Sequence, residues 1–253
     1  MIFDNTLLRD RTILVTGASS GIGREYCIQA AQLGARILLI GRDKDRLDAT
    51  LGSLEGKDHQ AFQLELNLID DFKKSLLDIT EMSGPLHGVF HAAGIETVDT
   101  LKRANDEVFE RSFAASVRGS IAILAACSRK KVMVDSGAIV LMSSVAGHRG
   151  QMGMALYSAS KTAIDSLTKS GAIELAGRNI RVNSVVAGAV DTAMHRVILE
   201  RMTAESTAAY ENKHLLGFGL PSDVVNAGLF LTSDASRWIT GTNMIVDGGF
   251  LAK

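Results

Sequence analysis

Residues 12–41, TILVTGASSGIGREYCIQAAQLGARILLIG, carry the pattern that decides the fold. A short apolar strand comes first, a glycine-rich turn follows, and the next segment has apolar positions at helical spacing until Gly34. A second apolar strand begins immediately afterwards. Parallel strands joined through a helix make a right-handed crossover, so this stretch predicts a βαβ unit.

The same alternation continues along the rest of the chain. Further strands are predicted at AFQLEL (61–66), GVFHAAG (88–94), AIVLM (138–142), IRVNSVV (180–186) and TNMIVD (242–247). Helices are predicted over residues 44–54, 70–82, 105–131, around Tyr157 to about Ala176, and from near Pro221. The apolar runs do not alternate with polar residues, so helices should cover both faces of the sheet. With no linker visible, we predict one α/β domain over 1–253, a doubly wound sheet of seven strands.

Composition excludes several classes of partner. The chain has 253 residues, a formal charge of −1 and 22% charged residues spread along its length, so neither nucleic acid nor an anionic membrane is expected as a partner. No apolar run approaches the length needed to span a bilayer. Two cysteines, Cys27 and Cys127, are too few for a disulfide framework. We therefore expect a soluble cytoplasmic protein.

The glycine turn TGASSGIG, residues 16–23, is a candidate pyrophosphate site. Its glycines would bring backbone amides and a helix amino terminus up to the phosphates. A tight turn without a ligand would use glycines too, but the position between a strand and a helix favours dinucleotide binding. The predicted cofactor contacts in this turn are Gly17, Ser19, Ser20, Gly21, Ile22 and Gly23.

Arg42 follows the second strand, where an acidic residue would bind a ribose 2′-hydroxyl. An arginine suits a 2′-phosphate instead, and no carboxylate at the strand end would repel one. This favours NADP over NAD. The alternative is that Arg42 pairs with Asp43, Asp45 or another nearby carboxylate.

The segment 143–161, SSVAGHRGQMGMALYSASK, supplies candidate catalytic groups. Tyr157 and Lys161 are four positions apart and would share one helix face. A lysine cation beside a phenol is expected to lower its pKa, which makes proton transfer accessible. Ser144 follows a buried strand and could hydrogen-bond a substrate carbonyl. Taken alone, such a pair is more often a solvated helix face.

Three motifs in order, TGASSGIG, the Ser144, Tyr157 and Lys161 set, and the closing ITGTNMIVDGG, resemble the classical short-chain dehydrogenase/reductase family. The resemblance covers residues from about Arg11 to Gly249. Within the family, the chain is similar to the 3-oxoacyl-acyl-carrier-protein reductases. It implies a Rossmann fold, a nicotinamide cofactor, and reversible hydride transfer between a carbonyl and an alcohol.

The resemblance also assigns roles to individual residues. Tyr157 would be the acid or base, Lys161 would lower its pKa and hold the nicotinamide ribose, and Ser144 would orient the carbonyl. Val190 and Thr192 match positions that hold the nicotinamide carboxamide.

Several positions depart from the family pattern. Asn67 and Leu68 stand where an acidic residue near the adenine is usual, although the amide can still hydrogen-bond. Ala93 and Gly94 keep the cofactor-side turn of the family's NNAG motif. Ser116 replaces the asparagine that supports a proton-relay water, so it is the least secure of the implied catalytic residues.

The histidines offer little chemistry beyond this. His91, in the altered NNAG motif, has a catalytic interpretation, but a histidine that ends a buried strand is more often structural. His148, His195 and His214 lack metal-ligand spacing with each other or with cysteine, and no metal site is predicted.

Two segments, 147–155 and 191–219, are expected to line the substrate side, the second as a substrate loop region. Their methionines and basic residues could receive an acyl chain or a polar carbonyl compound. Residues 129–131 with Arg178 form a basic rim that would suit an acidic carrier protein, or would simply be solvated charge.

The predicted function is an NADP-dependent reductase of small carbonyl compounds, of the 3-oxoacyl type, with substrates that are either free or linked to a carrier. The alternatives are a sugar, polyol or secondary-metabolite dehydrogenase, and a weakly active NADP-binding regulator. Surplus apolar residues on the long helices, such as Ile164, Leu167 and Ile173, suggest a homotetramer or homodimer.

Overall fold

The computed structural model describes residues 4–66 and 68–253. Its strands are β1 (Thr12–Thr16), β2 (Arg36–Gly41), β3 (Gln60–Gln63), β4 (Leu86–His91), β5 (Met133–Ser144), β6 (Arg181–Ala187) and β7 (Asn243–Val246). Its α-helices are α1 (Gly21–Gln32), α2 (Lys44–Leu51), α3 (Ile69–Ser83), α4 (Asp106–Phe113), α5 (Gly119–Cys127), α6 (Ala155–Leu175), α7 (Ala193–Leu199), α8 (Ala204–Glu211) and α9 (Pro221–Thr232).

The strands form one parallel sheet in the order β3-β2-β1-β4-β5-β6-β7. This confirms the prediction of a seven-stranded, doubly wound Rossmann fold within the described residues. The chain order reverses between β1 and β4, and in such sheets ligands bind beyond the carboxyl ends of the strands at that point.

Apolar layers cover both faces of the sheet. On one face Tyr26 of α1 stacks on Phe90 of β4, with ring centroids 4.0 Å apart, and α9 packs beside them. On the other face, residues such as Phe72 of α3, Ile123 of α5 and Ile164 of α6 share a second cluster. Burial on both sides explains why the strands read as continuous apolar runs.

The predicted helix over 105–131 is interrupted. A single π turn, Ala114–Arg118, separates α4 from α5, and residues after Cys127 form turns that lead into β5. A π turn inserts one residue and so shifts the apolar face that follows, but α5 (GSIAILAAC) is apolar on nearly all sides, and the sequence pattern therefore did not indicate the shift. The region 191–219, expected to be irregular or helical, contains α7 and α8.

Some predictions fall outside what the structure tests. The assignment of Asn67 to the cofactor site lies outside the described residues.

Among the residues described, no helix is long and apolar enough to cross a membrane.

His91 links three elements of the fold. Its side chain lies at the end of β4, where Nδ1 is 2.6 Å from Thr16 Oγ1 of β1 and Nε2 is 3.2 Å from the Ser116 carbonyl of the π turn. The residue is 2% exposed. Burial lowers the pKa of His91 to about 4. These contacts favour the structural interpretation over the catalytic one.

The burial of His91 predicts a loss of stability in mild acid. The folded state keeps the ring neutral down to a pKa of about 4, whereas in the unfolded chain it protonates near a pKa of about 6.5. Its contribution is therefore complete above about pH 6.5 and is lost as the pH falls to about 4, on the order of 3 kcal/mol in all. Urea unfolding of wild type and His91→Asn between pH 7 and 4.5 should show a shallower pH dependence in the variant. Equal slopes would contradict this account.

Candidate active site

A cavity of about 1320 Å³ opens at the carboxyl edge of the sheet. It exceeds the roughly 300–1,000 Å³ of ordinary small-ligand sites, so it has room for a dinucleotide and a substrate together. The site residues predicted from the sequence that line it are Gly17, Ser19, Ser20, Gly21, Ile22, Gly23, Arg42, Leu68, Ala93, Gly94, Ser144, Tyr157, Lys161, Val190 and Thr192. Ser116 is not among the lining residues.

The glycine turn is shaped so that side chains could not replace its key glycines. Gly17 has φ +68°, and a Cβ there would lie 2.9 Å from the Ala92 carbonyl carbon. A Cβ on Gly23 would lie 2.3 Å from the Gly17 oxygen. Because α1 begins at Gly21, its unpaired first-turn amides face this turn. The cradle fits the pyrophosphate of a dinucleotide.

Arg42 lies just beyond β2 and lines the same cavity as the glycine turn. Its guanidinium forms no ion pair with any residue that the structure describes. Asp43 instead caps α2 and pairs with Arg46, with Nε 3.2 Å from Oδ2. The side chain of Arg42 is therefore available to a ligand, as the 2′-phosphate hypothesis requires.

The Ser144, Tyr157 and Lys161 side chains converge at the opposite end of the cavity. Ser144 ends β5 and accepts a hydrogen bond from the Ala146 amide at 3.2 Å. Tyr157 and Lys161 occupy the first turns of α6, with Lys161 Nζ 5.6 Å from the centroid of the Tyr157 ring. The ammonium donates to the Met142 carbonyl at 2.9 Å, and Lys161 is 6% exposed.

The electrostatics of this group differ from the sequence expectation. The pKa of Tyr157 is raised, mainly because the phenol is buried and secondly because the Glu96 carboxylate is near, while the Ser144 side chain acts in the opposite direction. Burial lowers the pKa of Lys161 to about 8 against the opposing influence of Glu96 and Asp165. The expected lowering of the Tyr157 pKa by Lys161 is thus wrong for the free protein. Tyr157 is protonated at neutral pH, which is the form that can donate a proton.

Glu96 is a cavity residue that the sequence analysis missed. It follows β4 by five positions and lines the cavity together with Tyr157 and Lys161. Burial raises the pKa of Glu96 to about 6, and Lys161 opposes this rise. The signal was a carboxylate close to the carboxyl end of a strand at the switch point, where ligands bind.

Comparison with known proteins decides the family. A family model described as enoyl-(acyl carrier protein) reductase matches residues 17–251. The chain belongs to the classical short-chain dehydrogenase/reductase family. A 3-oxoacyl-(acyl-carrier-protein) reductase of Thermotoga maritima is 33% identical over 247 residues, which cover 96% of this chain and 99% of the relative. An L-xylulose reductase of Caenorhabditis elegans is 34% identical, covering 95% and 96%.

A solved structure agrees with this assignment. A short-chain type dehydrogenase/reductase from Mycobacterium marinum superposes with a TM-score of 0.85 at 29% identity, covering 99% of each chain. The protein is therefore an NAD(P)-dependent short-chain dehydrogenase/reductase.

Ser116 does not take the place expected of it in this short-chain dehydrogenase/reductase. Its hydroxyl donates to the Ser112 carbonyl at 2.9 Å, and its carbonyl accepts from Ser120 Oγ at 2.7 Å. The residue is 3% exposed. Because its hydroxyl is hydrogen-bonded within the helix and does not line the cavity, we assign Ser116 a structural role in the π turn instead of a relay role.

The segments expected on the substrate side do line the cavity of this short-chain dehydrogenase/reductase. The contributing side chains are Gln151 and Met154 from 147–155, and Met194, His195, Val197 and Tyr210 from 191–219. Two basic residues of these segments are used elsewhere: Arg149 lies 5.2 Å from the centroid of the Phe250 ring, and Arg196 pairs with Asp191 at 2.7 Å.

The basic rim lies far from this site. Residues 129–131 connect α5 to the start of β5, at the amino edge of the sheet, whereas the cavity is at the carboxyl edge. Arg178 pairs with Asp135 at 2.8 Å and donates to the Cys127 carbonyl at 2.8 Å. These positions favour a local structural role for Arg178 and solvated charge for residues 129–131 over a carrier-binding surface next to the site.

The apolar residues expected at a subunit contact divide into two groups. Ile164 is 1% exposed and packs inside the subunit, which corrects its assignment to a surplus surface. Ile173, on the same helix, is 78% exposed. Oligomerisation stays a prediction, with Ile173 as its test position.

Proposed function

We propose that this short-chain dehydrogenase/reductase is NADP-dependent and interconverts a ketone or aldehyde with an alcohol. The observation that carries the proposal is one continuous cavity with the glycine turn and Arg42 at one end and Ser144, Tyr157 and Lys161 at the other.

The residues divide the chemistry between them. Ser144 donates a hydrogen bond to the substrate carbonyl oxygen and orients it. Tyr157, whose phenol is protonated at neutral pH, gives its proton to that oxygen during reduction. Lys161 supplies positive charge beside the phenolate that remains. Bound NADPH would supply the hydride that reaches the carbonyl carbon.

The remaining residues would hold the cofactor. The turn from Gly17 to Gly23 faces the pyrophosphate, Arg42 the 2′-phosphate, and Leu68, Ala93 and Gly94 the adenosine side, to which we also assign Asn67. Val190 and Thr192, which line the cavity, would hold the carboxamide. Apart from Asn67, which lies outside the described residues, these assignments are supported by the shared cavity and by the Arg42 guanidinium, which pairs with no described carboxylate.

The names of the relatives support two substrate classes, 3-oxoacyl thioesters and ketoses. Carrier linkage gains no support from the basic rim, which lies at the opposite edge of the sheet. Both cysteines are buried free thiols, which supports a reducing cytoplasmic location. We also propose a homodimer or homotetramer.

The decisive experiment follows nicotinamide absorbance over a panel of ketones, aldehydes and alcohols, with NADPH and NADH in parallel. Turnover with NADPH is expected. Tight NADPH binding with no turnover across the panel would overturn the enzymatic proposal in favour of an NADP-binding regulator.

The cofactor preference has its own test in Arg42→Ala. Charge-assisted hydrogen bonds contribute about 1.5–3 kcal/mol, so we expect kcat/KM with NADPH to fall about 10–100-fold while the NADH value changes little. Arg129→Ala, at the opposite edge of the sheet, is the matched control. An equal loss with both cofactors would show that Arg42 does not read the 2′-phosphate.

A further inference from the structure

Three polar side chains at the substrate end of the cavity have no side-chain hydrogen-bond partner among the described residues: Glu96, His195 and Tyr210. His195 is 5% exposed, and its Nε2 is buried with no hydrogen-bond partner. Within 4–66 and 68–253, neither the Glu96 carboxylate nor the Tyr210 hydroxyl has a hydrogen bond or ion pair. We call these three residues the polar wall.

The polar wall is one continuous surface. The His195 and Tyr210 rings are 5.9 Å apart between centroids. The charge of Glu96 raises the pKa of both Tyr210 and Tyr157, so its carboxylate lies near both phenols. The wall therefore borders the group that would protonate the substrate.

Packing fixes the two ring residues. The Thr192 hydroxyl caps α7 by accepting from the His195 amide at 3.3 Å. Phe218 meets the His195 ring edge-on at 5.1 Å between centroids and lies 5.4 Å from the Tyr210 ring. An imidazole held in this way keeps Nε2 in place for a ligand instead of rotating it to solvent.

The wall discriminates between substrate classes. A saturated acyl chain would leave all three polar groups desolvated and unpaired, which is unfavourable. An anionic substrate would meet the Glu96 carboxylate, and a cationic one would meet the Lys161 ammonium. A neutral compound rich in hydroxyls donates to Glu96 and can both donate to and accept from the two rings.

Resting on the proposed carbonyl reduction, we propose that the substrate is a neutral hydroxylated carbonyl compound of the ketose and polyol class, and that Glu96, His195 and Tyr210 bind hydroxyls beside its carbonyl. Glu96 and His195 are then specificity residues for the oxidised and reduced forms alike.

The test compares three substrates with NADPH: a ketopentose, 2-pentanone as the same chain without hydroxyls, and an acetoacetyl thioester as the acyl class. Wild type should prefer the ketopentose by about 100-fold or more in kcat/KM, because a site built to bind hydroxyls rejects an analogue that lacks them. Glu96→Leu and His195→Phe should each lower the ratio of the ketopentose kcat/KM to the 2-pentanone kcat/KM about 10–100-fold, mainly through the KM for the ketopentose.

Matched controls separate this from a general effect on catalysis. Glu107→Leu, at an exposed position of α4, should leave the kcat/KM of the ketopentose unchanged relative to that of 2-pentanone and to that of the thioester. Glu96→Gln keeps an acceptor and should recover part of the ketopentose preference that Glu96→Leu loses. Removing Glu96 also alters the setting of Tyr157, but that effect is common to all three substrates and cancels in their ratio.

The outcomes distinguish the two proposals. Two results would overturn the hydroxyl-binding wall but leave carbonyl reduction in place. One is a preference for the thioester, and the other is an equal loss of kcat/KM for every substrate in the Glu96 and His195 variants. Absence of NADPH oxidation with every carbonyl tested overturns both.

Discussion

Tyr157→Phe should lower kcat/KM for carbonyl reduction by about 10²–10⁴-fold, the range that a positioned general acid contributes. The change removes a hydroxyl from the cavity end occupied by Ser144 and Lys161 and leaves the ring in place. The Tyr157 phenol, the proposed donor, is protonated at neutral pH. Burial and the Glu96 charge raise its pKa further. NADPH affinity, measured by fluorescence titration, should change only a few-fold, so that the loss appears in kcat.

The chain provides a matched control for this substitution. Tyr26→Phe also removes a buried hydroxyl, one that donates to Thr232 Oγ1 at 2.8 Å, but it lies between α1 and α9, away from the cavity. It should cost about 1 kcal/mol of stability and leave kcat unchanged. If Tyr157→Phe kept most of its turnover on a substrate that wild type reduces, Tyr157 would not be the acid.

The fold was accessible from the sequence because its signals are local. Gly17 and Gly23 stand between an apolar strand and an amphipathic helix, and each is required by a backbone approach that any Cβ would obstruct. The unbroken apolar character of β1 and β2 follows from burial on both faces. The spacing of apolar residues and the glycine-rich turns together therefore predicted the parallel sheet and the positions of most helices and strands.

The interruption at Ala114–Arg118 was not accessible in the same way. A π turn adds one residue to a helix and shifts the apolar face after it, but α5 is apolar on nearly all sides and conceals the shift. Its consequence is large, since it places the Ser116 carbonyl against His91 and ties the Ser116 hydroxyl to Ser112. The family resemblance implied a relay role for Ser116 from its position alone, and this local geometry is not visible in the sequence.

The substrate end of the site was predicted only in outline. His195 was within a segment expected to line the cavity, but its unpaired Nε2 depends on how α7 packs against Phe218. Glu96 was overlooked because its one signal was its place shortly after β4, and a single carboxylate there belongs to no periodic pattern or motif. Tertiary packing alone reveals which loop side chains are buried without partners.

These charges form one system around the reacting group. Glu96 raises the pKa of Tyr157 and also opposes the burial that lowers the pKa of Lys161. The two effects oppose each other: the higher pKa makes the Tyr157 phenol a weaker acid, whereas the ammonium that Glu96 helps to keep charged would stabilise the phenolate left by proton donation.

Lys161→Met should lower kcat/KM for carbonyl reduction by about 10²-fold, because the phenolate left after proton transfer loses its adjacent cation. In wild type the pKa of Lys161 is about 8, so the ammonium is present below that value and is lost as the pH rises through it. The rate of reduction should therefore be level near pH 7 and fall above about pH 8. Tyr157 stays protonated across this range, since its own pKa is raised.

Two further variants test whether that decline belongs to Lys161. Lys161→Arg keeps a cation that does not titrate below about pH 12, so the fall above pH 8 should disappear even if the rate is lower throughout. Lys169→Met, at an exposed position of the same helix, should leave both rate and profile unchanged. Steady-state reduction rates are measured from pH 7 to 9.5 for wild type and the three variants. A decline near pH 8 that persists in Lys161→Arg would assign it to another group and remove the charge beside Tyr157 from the mechanism.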